Sequence, residues 1–287
     1  SQTVAFSGRN IGDLMNDAGL SWGGFQGGFA DRDCRQSHPQ VASDLATGVD
    51  PDSDTVRRAD YVPHHTPCQY FPSPANVRHL PPSHLDLVGE TDQANHLYDL
   101  EVFWQIAARG RLPAVSFLKP PAYQNGHPGY SNPLDQQVFI VESLNRLQKT
   151  DAWRDMAILI AWDDSDGWYD HVMPPIVNRS ATDLDYLCGA ESDGPGARCG
   201  YGPRLPFLVV SPFAKENYVS SALVDQTSIL RFIEDNWLQG ARVSEISFDR
   251  IAGSLDDFFD FSGRGEAGAR RLFLDPSTGQ PLPNQDP

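Results

Sequence analysis

Residues 156–171 read MAILIAWDDSDGWYDH, an apolar run that leads directly into acidic side chains. The run 156–162 is continuously apolar and has the length of a strand, which is typical of a central strand in a parallel sheet. Two carboxylates, Asp163 and Asp164, follow at its end. Because adjacent carboxylates repel each other unless a cation neutralises them, this pattern indicates a divalent-metal site. A solvated turn is the alternative, since Asp, Ser and Gly are favoured in turns.

The rest of the chain alternates between strand and helix patterns. Strands are predicted within 20–29, 114–118, 156–162 and 205–211, and helices within 11–18, 100–110, 133–148 and 224–238. Asn10 is expected to cap the first helix and Gly19 to end it. The polar residues 30–60 are expected to form a long loop. This order predicts an α/β fold in which a parallel sheet carries helices on both faces.

Ligands of such sheets bind beyond the carboxyl ends of the strands, which selects the loops after 118, 162 and 211. His127 lies in the first of these loops, within NGHPG, and an exposed loop histidine is the alternative interpretation. His64 and His65 are adjacent in the proline-rich segment VPHHTP. Imidazole suits two tasks at a phosphate, because it can donate to phosphate oxygens and protonate a leaving alkoxide. His171 is interpreted as a support for the aspartates rather than as a ligand.

The charge balance limits the partners. Lys and Arg number 22 against 38 Asp and Glu, so the formal net charge is −16. Such a surface repels nucleic acid and anionic lipid headgroups, and neither is expected as a partner. An anionic substrate must therefore be captured by local cations. No apolar run reaches the roughly 18 residues that a membrane-spanning helix needs, so no transmembrane segment is expected.

The four cysteines match no zinc motif, because no C-x-x-C is present. Cys188 and Cys199 flank CGAESDGPGARC, whose Gly, Pro and Ser content indicates a surface loop. A bridge there would stabilise the fold by about 3 kcal/mol through the entropy of the unfolded chain. Cys34 and Cys68 would form the second pair. Two disulfides would indicate a secreted or periplasmic protein, whereas four reduced thiols would indicate the cytosol.

Six stretches resemble one known family. They are NIGDLMNDAGLSWGGFQGGF, DYVPHHTPCQYF, TDQANHLYDL, LPAVSFLKPPAYQNGHPGYSNPLDQQ, AWDDSDGWYDHV and CGYGPRLPFLVVSPFAK. Together they are similar to the phosphoesterase family of bacterial acid phosphatases and phospholipases C, and the resemblance covers the chain to about residue 262. The residues of GHPGYS and DDSDGWYDH are nearer to the acid-phosphatase branch.

The resemblance implies a three-layer α/β/α fold like that of alkaline phosphatase, with a mainly parallel sheet. It matches Asp163 and Asp164 to a pair of ligands for a divalent metal ion, whose identity the sequence does not give. It matches His64, His65 and His127 to histidines around the bound phosphate, where they would bind the substrate and take part in catalysis.

The chain departs from the family pattern in one respect. Family members begin with an ENxSFDxYFG-type stretch that supplies a Glu and an Asn to the metal, and a hydroxyl nucleophile follows in the same N-terminal half. Neither motif is found here, and Ser7, Ser116 and Ser165 lie in no matching motif. Residues 1–287 are therefore expected to form a single α/β domain that is the C-terminal part of a larger phosphoesterase domain, with 263–287 as a surface tail. An N-terminal fragment of the same protein is an expected partner.

These features predict metal-dependent hydrolysis of phosphate esters, as in an acid phosphatase that acts on phosphomonoesters through a phospho-enzyme. A histidine acid with an unperturbed pKa near ~6.5 works best at mildly acidic pH. A phospholipase C acting on phosphodiesters is the first alternative, although the sequence shows no broad apolar stripe for a lipid. A non-catalytic binding or structural half-domain is the second. The chain alone is expected to show little turnover until the N-terminal half is supplied.

Non-reducing peptide mapping tests the two predicted bridges. We expect Cys188 joined to Cys199, because the loop between them can bring the two thiols together, and Cys34 joined to Cys68 as the remaining pair. Titration of four free thiols per unreduced chain would contradict both the pairing and the exported localisation.

Overall fold

The computed structural model describes residues 5–31, 37–39, 57–66, 68–128, 131–165, 167–175, 201–245, 247–262 and 270–283. The strands are β1 (Trp22–Gln26), β2 (Ser37–Pro39), β3 (Arg57–Ala59), β4 (Leu97–Asp99), β5 (Val115–Lys119), β6 (Ile158–Ala161) and β7 (Phe207–Val210). The α-helices in these ranges are α1 (Ile11–Asp17), α2 (Leu100–Ala107), α3 (Pro133–Leu147) and α4 (Thr227–Trp237). Short 3-10 turns, among them Pro63–His65 and Ala122–Gln124, connect them.

The first helix forms as its sequence predicts. The Asn10 side chain accepts hydrogen bonds from the backbone of Gly12 and Asp13, and the Asp13 carboxylate accepts one from the Asn10 backbone, which makes a capping box. Gly19, with a φ of +64°, follows the last turn and ends the helix. A Cβ atom on Gly12 would lie 2.5 Å from the indole ring of Trp22, so the helix rests directly on strand β1.

Strand β1 is the centre of a three-stranded parallel sheet with the order β4–β1–β5. Its register pairs Gln26 with Asp99 on one side and with Lys119 on the other. Parallel strands end at the same edge, so these three residues meet at the carboxyl edge of the sheet. A parallel sheet and the strands predicted within 20–29 and 114–118 are thereby confirmed.

Two clusters of buried apolar residues surround this sheet. One contains Trp22 of β1 together with residues of α1 and α4, and the other contains Phe25 of β1 together with residues of α2 and α3. Side chains at odd spacing on a strand point to opposite faces, so Trp22 and Phe25 anchor the helices on the two sides of β1. The described residues thus form a mixed α/β fold with a parallel sheet and helices. The closer likeness to alkaline phosphatase stays a prediction.

His96 is a core residue. It is 1% exposed, and its ring stacks on the Trp22 indole with 4.5 Å between the ring centres. Its Nδ1 lies 3.0 Å from the Trp22 carbonyl oxygen. Burial lowers the pKa of His96, so this ring stays neutral and donates its Nδ1 proton to the carbonyl.

The apolar run 156–162 forms strand β6, but its pairing differs from the prediction. Strand β6 lies antiparallel to β7, with Ile158 opposite Val210 and Ala161 opposite Phe207. The residues of both strands are half-buried or exposed, so β6 is not the fully buried parallel strand that the run indicates. An apolar run reflects a tendency to be buried and carries no information on strand direction, which explains the error.

The segment 30–60 is not wholly a loop. Strands β2 and β3 pair antiparallel within it, and residues 32–36 and 40–56 lie outside the described residues. The prediction is wrong at these strands because their sequences, SHP and RRA, carry no alternating apolar pattern.

The C-terminal segment 270–283 is attached to the end of helix α3. The Gln148 side chain both donates to and accepts from the backbone of Leu272, and the Asn145 side chain does the same with Leu274. Each amide makes one bond to this backbone as a donor and one as an acceptor, as a neighbouring strand would. This part of the predicted surface tail is therefore held in place by side-chain amides.

Cys68 is the only cysteine within the described ranges, and its thiol is free. Burial raises the pKa of this thiol to about 11. The structure therefore does not show the predicted bridge from Cys68 to Cys34. Cys34, Cys188 and Cys199 lie outside the described residues, so the Cys188–Cys199 bridge stays a prediction. In the same ranges, no helix combines the length and the apolar character needed to cross a membrane.

A buried pair of carboxyl groups joins helix α4 to the segment that follows it. The carboxyl groups of Glu234 and Asp249 lie close enough to shift each other's pKa, and the two residues are at most 1% exposed. Arg242 Nη1 lies 3.1 Å from Glu234 Oε2, and the Val243 backbone donates to Asp249 Oδ2 at 2.9 Å. The remaining oxygens, Oε1 of Glu234 and Oδ1 of Asp249, find no donor among the described residues. Two buried carboxyl groups this close together cannot both ionise without a large cost, so we predict that the pair shares a proton.

The proton pair predicts how stability depends on pH. Burial, followed by the contact with Asp249, raises the pKa of Glu234 from 4.5 to about 8. Folding therefore takes up a proton between these two values, and the free energy of unfolding should fall as the pH rises through that window. Glu234→Gln keeps a donor and cannot ionise, so we expect a flatter stability profile and a higher unfolding midpoint at pH 9 than in the parent chain.

Urea unfolding between pH 5 and pH 9 measures this effect. Glu245→Gln is the matched control, because the Glu245 side chain is 90% exposed and pairs only with Arg250 among the described residues. This variant should leave the pH dependence of the free energy of unfolding unchanged. An equally steep profile in Glu234→Gln would contradict the shared proton.

Candidate active site

The loops that follow β1 and β5 are packed against each other at the carboxyl edge of the sheet. The Gly27 backbone donates to the Lys119 carbonyl oxygen at 3.0 Å. A Cβ atom on Gly27 would lie 2.5 Å from the backbone nitrogen of Pro121, a distance that no side chain tolerates. Glycine at this position therefore permits the close approach that aligns the two loops.

Gln26, the last residue of β1, positions the two adjacent histidines. Its side chain is 1% exposed and donates from Nε2 to the Val62 carbonyl oxygen at 2.8 Å. Its Oε1 accepts a hydrogen bond from the Thr66 hydroxyl. These two bonds hold both ends of the 3-10 turn Pro63–His65 to the sheet. A buried amide with both ends bonded is costly to displace, so the turn has a defined position.

His64 and His65 point their rings at each other nearly at right angles. Their ring centres are 4.5 Å apart with an angle of 81° between the planes. His64 is exposed and His65 is half-buried. The Asn125 side chain approaches His65 from the opposite loop, with Nδ2 3.3 Å from Nδ1.

His127 is positioned by the same loop. Its backbone N–H donates to Asn125 Oδ1 at 2.9 Å, and its ring Nδ1 lies 2.6 Å from the Pro128 carbonyl oxygen. Gly126 between them has a φ of +83°, and a Cβ atom there would lie 2.4 Å from Gln136 Nε2. The turn that brings Asn125 and His127 together therefore requires glycine.

Lys119 and Asp163 form an ion pair across the ends of β5 and β6. Lys119 Nζ lies 2.8 Å from Asp163 Oδ2, and the lysine side chain is 23% exposed. Burial opposes ionisation of Asp163, but the hydrogen bond and the charge of Lys119 outweigh it and lower the pKa of this carboxyl. The Gln226 side chain, directly before α4, donates to the carbonyl oxygens of Trp162 and Asp163 and holds the strand end.

The structure brings His64, His127, Lys119 and Asp163 into the electrostatic environment of His65. The pKa of His65 is lowered to about 4, and burial is the largest cause. The positive charge of Lys119 also lowers this pKa, and its effect is larger than the opposite effect of Asp163. The predicted phosphate histidines and Asp163 therefore share one region of the carboxyl edge, and their roles there stay predictions. Asp164 is the next residue along the chain and is exposed.

The donor set does not form a metal site by itself. Among the described residues no group of three His, Cys, Asp or Glu side chains is arranged to hold an ion. Asp163 is paired with the Lys119 ammonium group, and Asp170 is bound by Arg204 at 2.9 Å. The aspartate pair therefore offers at most two ligand residues, which is fewer than the three that a catalytic zinc ion takes from a protein site. Asp166 lies outside the described residues.

Three residues of this region are not among the sequence-based candidates. Lys119 and Asn125 lie within the motif LPAVSFLKPPAYQNGHPGYSNP, and Gln26 ends the strand WGGFQ. A polar side chain at the last position of a buried strand is the signal that marks Gln26 and Lys119. Asn125 carries no such signal, because its partner His65 comes from a distant part of the sequence.

The comparison with protein families agrees with the resemblance of the motifs. The Phosphoesterase family matches residues 2–238, so the chain belongs to this family.

Individual relatives that match are phospholipases C. The chain is 30% identical to the non-hemolytic phospholipase C of Pseudomonas aeruginosa over 53% of its length and 24% of that protein. It is 32% identical to the non-hemolytic phospholipase C of Burkholderia pseudomallei over 56% of the chain and 25% of that protein. It is 27% identical to phospholipase C A of Mycobacterium tuberculosis over 53% of the chain and 30% of that protein. The match thus spans about a quarter to a third of the length of these relatives.

The environment of His65 predicts an unusual titration. In the 287-residue chain without added metal, NMR of the His65 ring should show a midpoint near pH 4. Lys119→Met removes a nearby positive charge and should move this midpoint upward. Lys149→Met, which removes a lysine lying over the Phe273 ring, is the control and should leave it in place. A midpoint close to 6.5 in the parent chain would contradict the described packing.

Proposed function

We propose that the protein containing this chain hydrolyses phosphate monoesters at the carboxyl edge of the sheet. One observation carries the proposal: the Lys119 ammonium group shares an environment with three histidines in a chain of net charge −16. Such a group of cationic and hydrogen-bonding side chains is suited to capture an anion that the rest of the surface repels.

The side chains divide the work as follows in this proposal. His64 and His65 donate hydrogen bonds to the non-bridging oxygens of the phosphate, where charge increases in the transition state. His65 does so as a neutral ring over most of the pH range, since its pKa lies near 4. His127, as the doubly protonated imidazolium, gives its Nε2 proton to the leaving alkoxide, because its Nδ1 is engaged by the Pro128 carbonyl.

The nucleophile is proposed to lie in the N-terminal half of the family's domain. A serine or threonine hydroxyl there would attack phosphorus in line, forming the phospho-enzyme as the alkoxide leaves, and water would then hydrolyse it. A divalent metal held by Asp163, Asp164 and ligands from outside the described residues would supply Lewis-acid chemistry at the phosphoryl oxygen. The present residues contribute binding, orientation and proton transfer.

The charge of Lys119 favours a monoester over a diester. A phosphate monoester carries up to two negative charges and a diester only one, so an additional cation stabilises the monoester more strongly. Asp163 compensates Lys119 in the structure, and a phosphate placed beside them would compete with that carboxylate for the ammonium group.

A phospholipase C function is the second candidate. The named relatives are phospholipases C. The loop that follows the aspartate pair also exposes apolar side chains, with Trp168 83% and Tyr169 81% exposed, and Met173 64% exposed. Apolar side chains next to the carboxyl edge would suit the acyl chains of a lipid.

Paired substrates distinguish these functions. We expect the chain, joined to the N-terminal half of its family's domain, to hydrolyse p-nitrophenyl phosphate faster than p-nitrophenylphosphorylcholine at mildly acidic pH. His127→Ala should lower kcat for the monoester about 100-fold, the size expected for loss of a general acid, and should leave the metal content unchanged.

Two controls accompany the assay. His84→Ala removes an exposed histidine outside this region and should leave kcat unchanged. Trp168→Ala should not alter monoester turnover, whereas a selective loss of diester turnover would favour the phospholipase. Absence of turnover with both esters would support the non-catalytic half-domain.

A further inference from the structure

We propose that Asn125 is a positioning residue that holds the His65 ring in the tautomer with its proton on Nε2. Asn125 contacts both histidine segments. Its Nδ2 lies beside the His65 ring, and its Oδ1 accepts a hydrogen bond from the His127 backbone. The inference about the tautomer follows from these contacts alone. Its consequence for phosphate binding rests on the proposed function.

The orientation of the Asn125 amide is fixed by His127. A backbone N–H can only donate, so the atom that receives the His127 N–H at 2.9 Å must be the amide oxygen, Oδ1. The other end of the same amide is then the NH₂ group. Rotation of the amide by 180° would place two donors against each other, so this orientation is determined by a hydrogen bond.

The amide orientation in turn determines the His65 tautomer. The Asn125 NH₂ group lies 3.3 Å from His65 Nδ1 and can only donate. His65 Nδ1 must therefore accept, and the single proton of the neutral ring lies on Nε2. The surrounding charges agree, because Lys119 disfavours a second proton on this ring more than Asp163 favours it.

His127 is held in the opposite tautomer. Its Nδ1 lies 2.6 Å from the Pro128 carbonyl oxygen, which can only accept, so Nδ1 carries the proton. The loop thereby leaves His65 with an N–H group at Nε2. It leaves His127 with an Nε2 atom that carries no proton while the ring is neutral. At a bound phosphate, the first ring would donate to an oxygen, whereas the second would act as an acid only in its doubly protonated imidazolium form, giving its Nε2 proton to the leaving group.

The backbone around Asn125 keeps this arrangement in place. The Asn125 carbonyl accepts from Gln136 Nε2 of helix α3 at 3.2 Å. The Gly126 backbone donates to the Ser131 hydroxyl at 2.9 Å. The amide is therefore carried on a loop tied to a helix, so it can impose the same hydrogen bonds on both histidines.

Nitrogen NMR of chain labelled with ¹⁵N-histidine tests the proposal without any activity measurement. The His65 signals, assigned with His65→Gln, should show an unprotonated Nδ1 and a protonated Nε2 at pH 7. Asn125→Asp keeps an acceptor for the His127 N–H and presents a second acceptor to His65. We expect the His65 proton to move to Nδ1, with complete loss of the Nε2–H signature.

Two further measurements make the outcome decisive. Asn125→Ala should leave a mixture of both tautomers at His65, which provides a second variant if Asn125→Asp does not fold. His96 is the internal control, because its Nδ1 faces the Trp22 carbonyl and should stay protonated in every variant. A proton on Nδ1 of His65 in the parent chain, or an unchanged tautomer in both variants, would overturn the proposal. A confirmed tautomer without hydrolysis of phosphate esters would contradict only the proposed function.

Discussion

The hydrogen bonds on both sides of strand β1 are the constraint on which the rest of the structure depends. All residues of this strand are buried, and its register with β4 and β5 brings three strand ends to one edge. Gly23 and Gly27 of WGGFQGG permit the close contacts that this position requires, against Tyr98 of β4 and against the loop after β5. Gln26 then fixes the 3-10 turn Pro63–His65 relative to the strand through two buried hydrogen bonds.

In the proposed site, an acidic protein would bind an anion through local groups. Among the described residues the cation of this site is Lys119, whose side chain is 23% exposed and forms an ion pair with Asp163. Its other donors are the three histidine imidazoles of the same region. Coulombic attraction between unit charges weakens with solvent screening, so one partly buried cation acts on a nearby ligand more strongly than many dispersed surface charges. Local burial rather than net charge therefore decides what this edge of the sheet can bind.

The sequence predicts the elements better than their assembly. The capped helix α1, strands β1 and β5, and the amphipathic helices α2 to α4 carry strong local signals, and all form. The direction of β6 was beyond prediction, because apolar side chains bury equally well in either orientation. The candidate histidines and Asp163 are recognisable from motifs at strand ends. Asn125 is not, because its partner His65 lies far away in the chain and only folding brings the two together.

Helix α4 connects two chemically different places. Its first residue follows Gln226, whose amide holds the end of β6 beside Asp163, and Glu234 lies two turns further along. At 1.5 Å per residue, the two side chains are separated by about 12 Å along a rigid rod. A pH high enough to remove the shared proton would leave two buried negative charges near the end of α4. This would weaken the packing of the helix, including its start beside Asp163. The stability of the fold would therefore depend on pH independently of any histidine, through a helix that begins beside Asp163 and carries Glu234 near its other end.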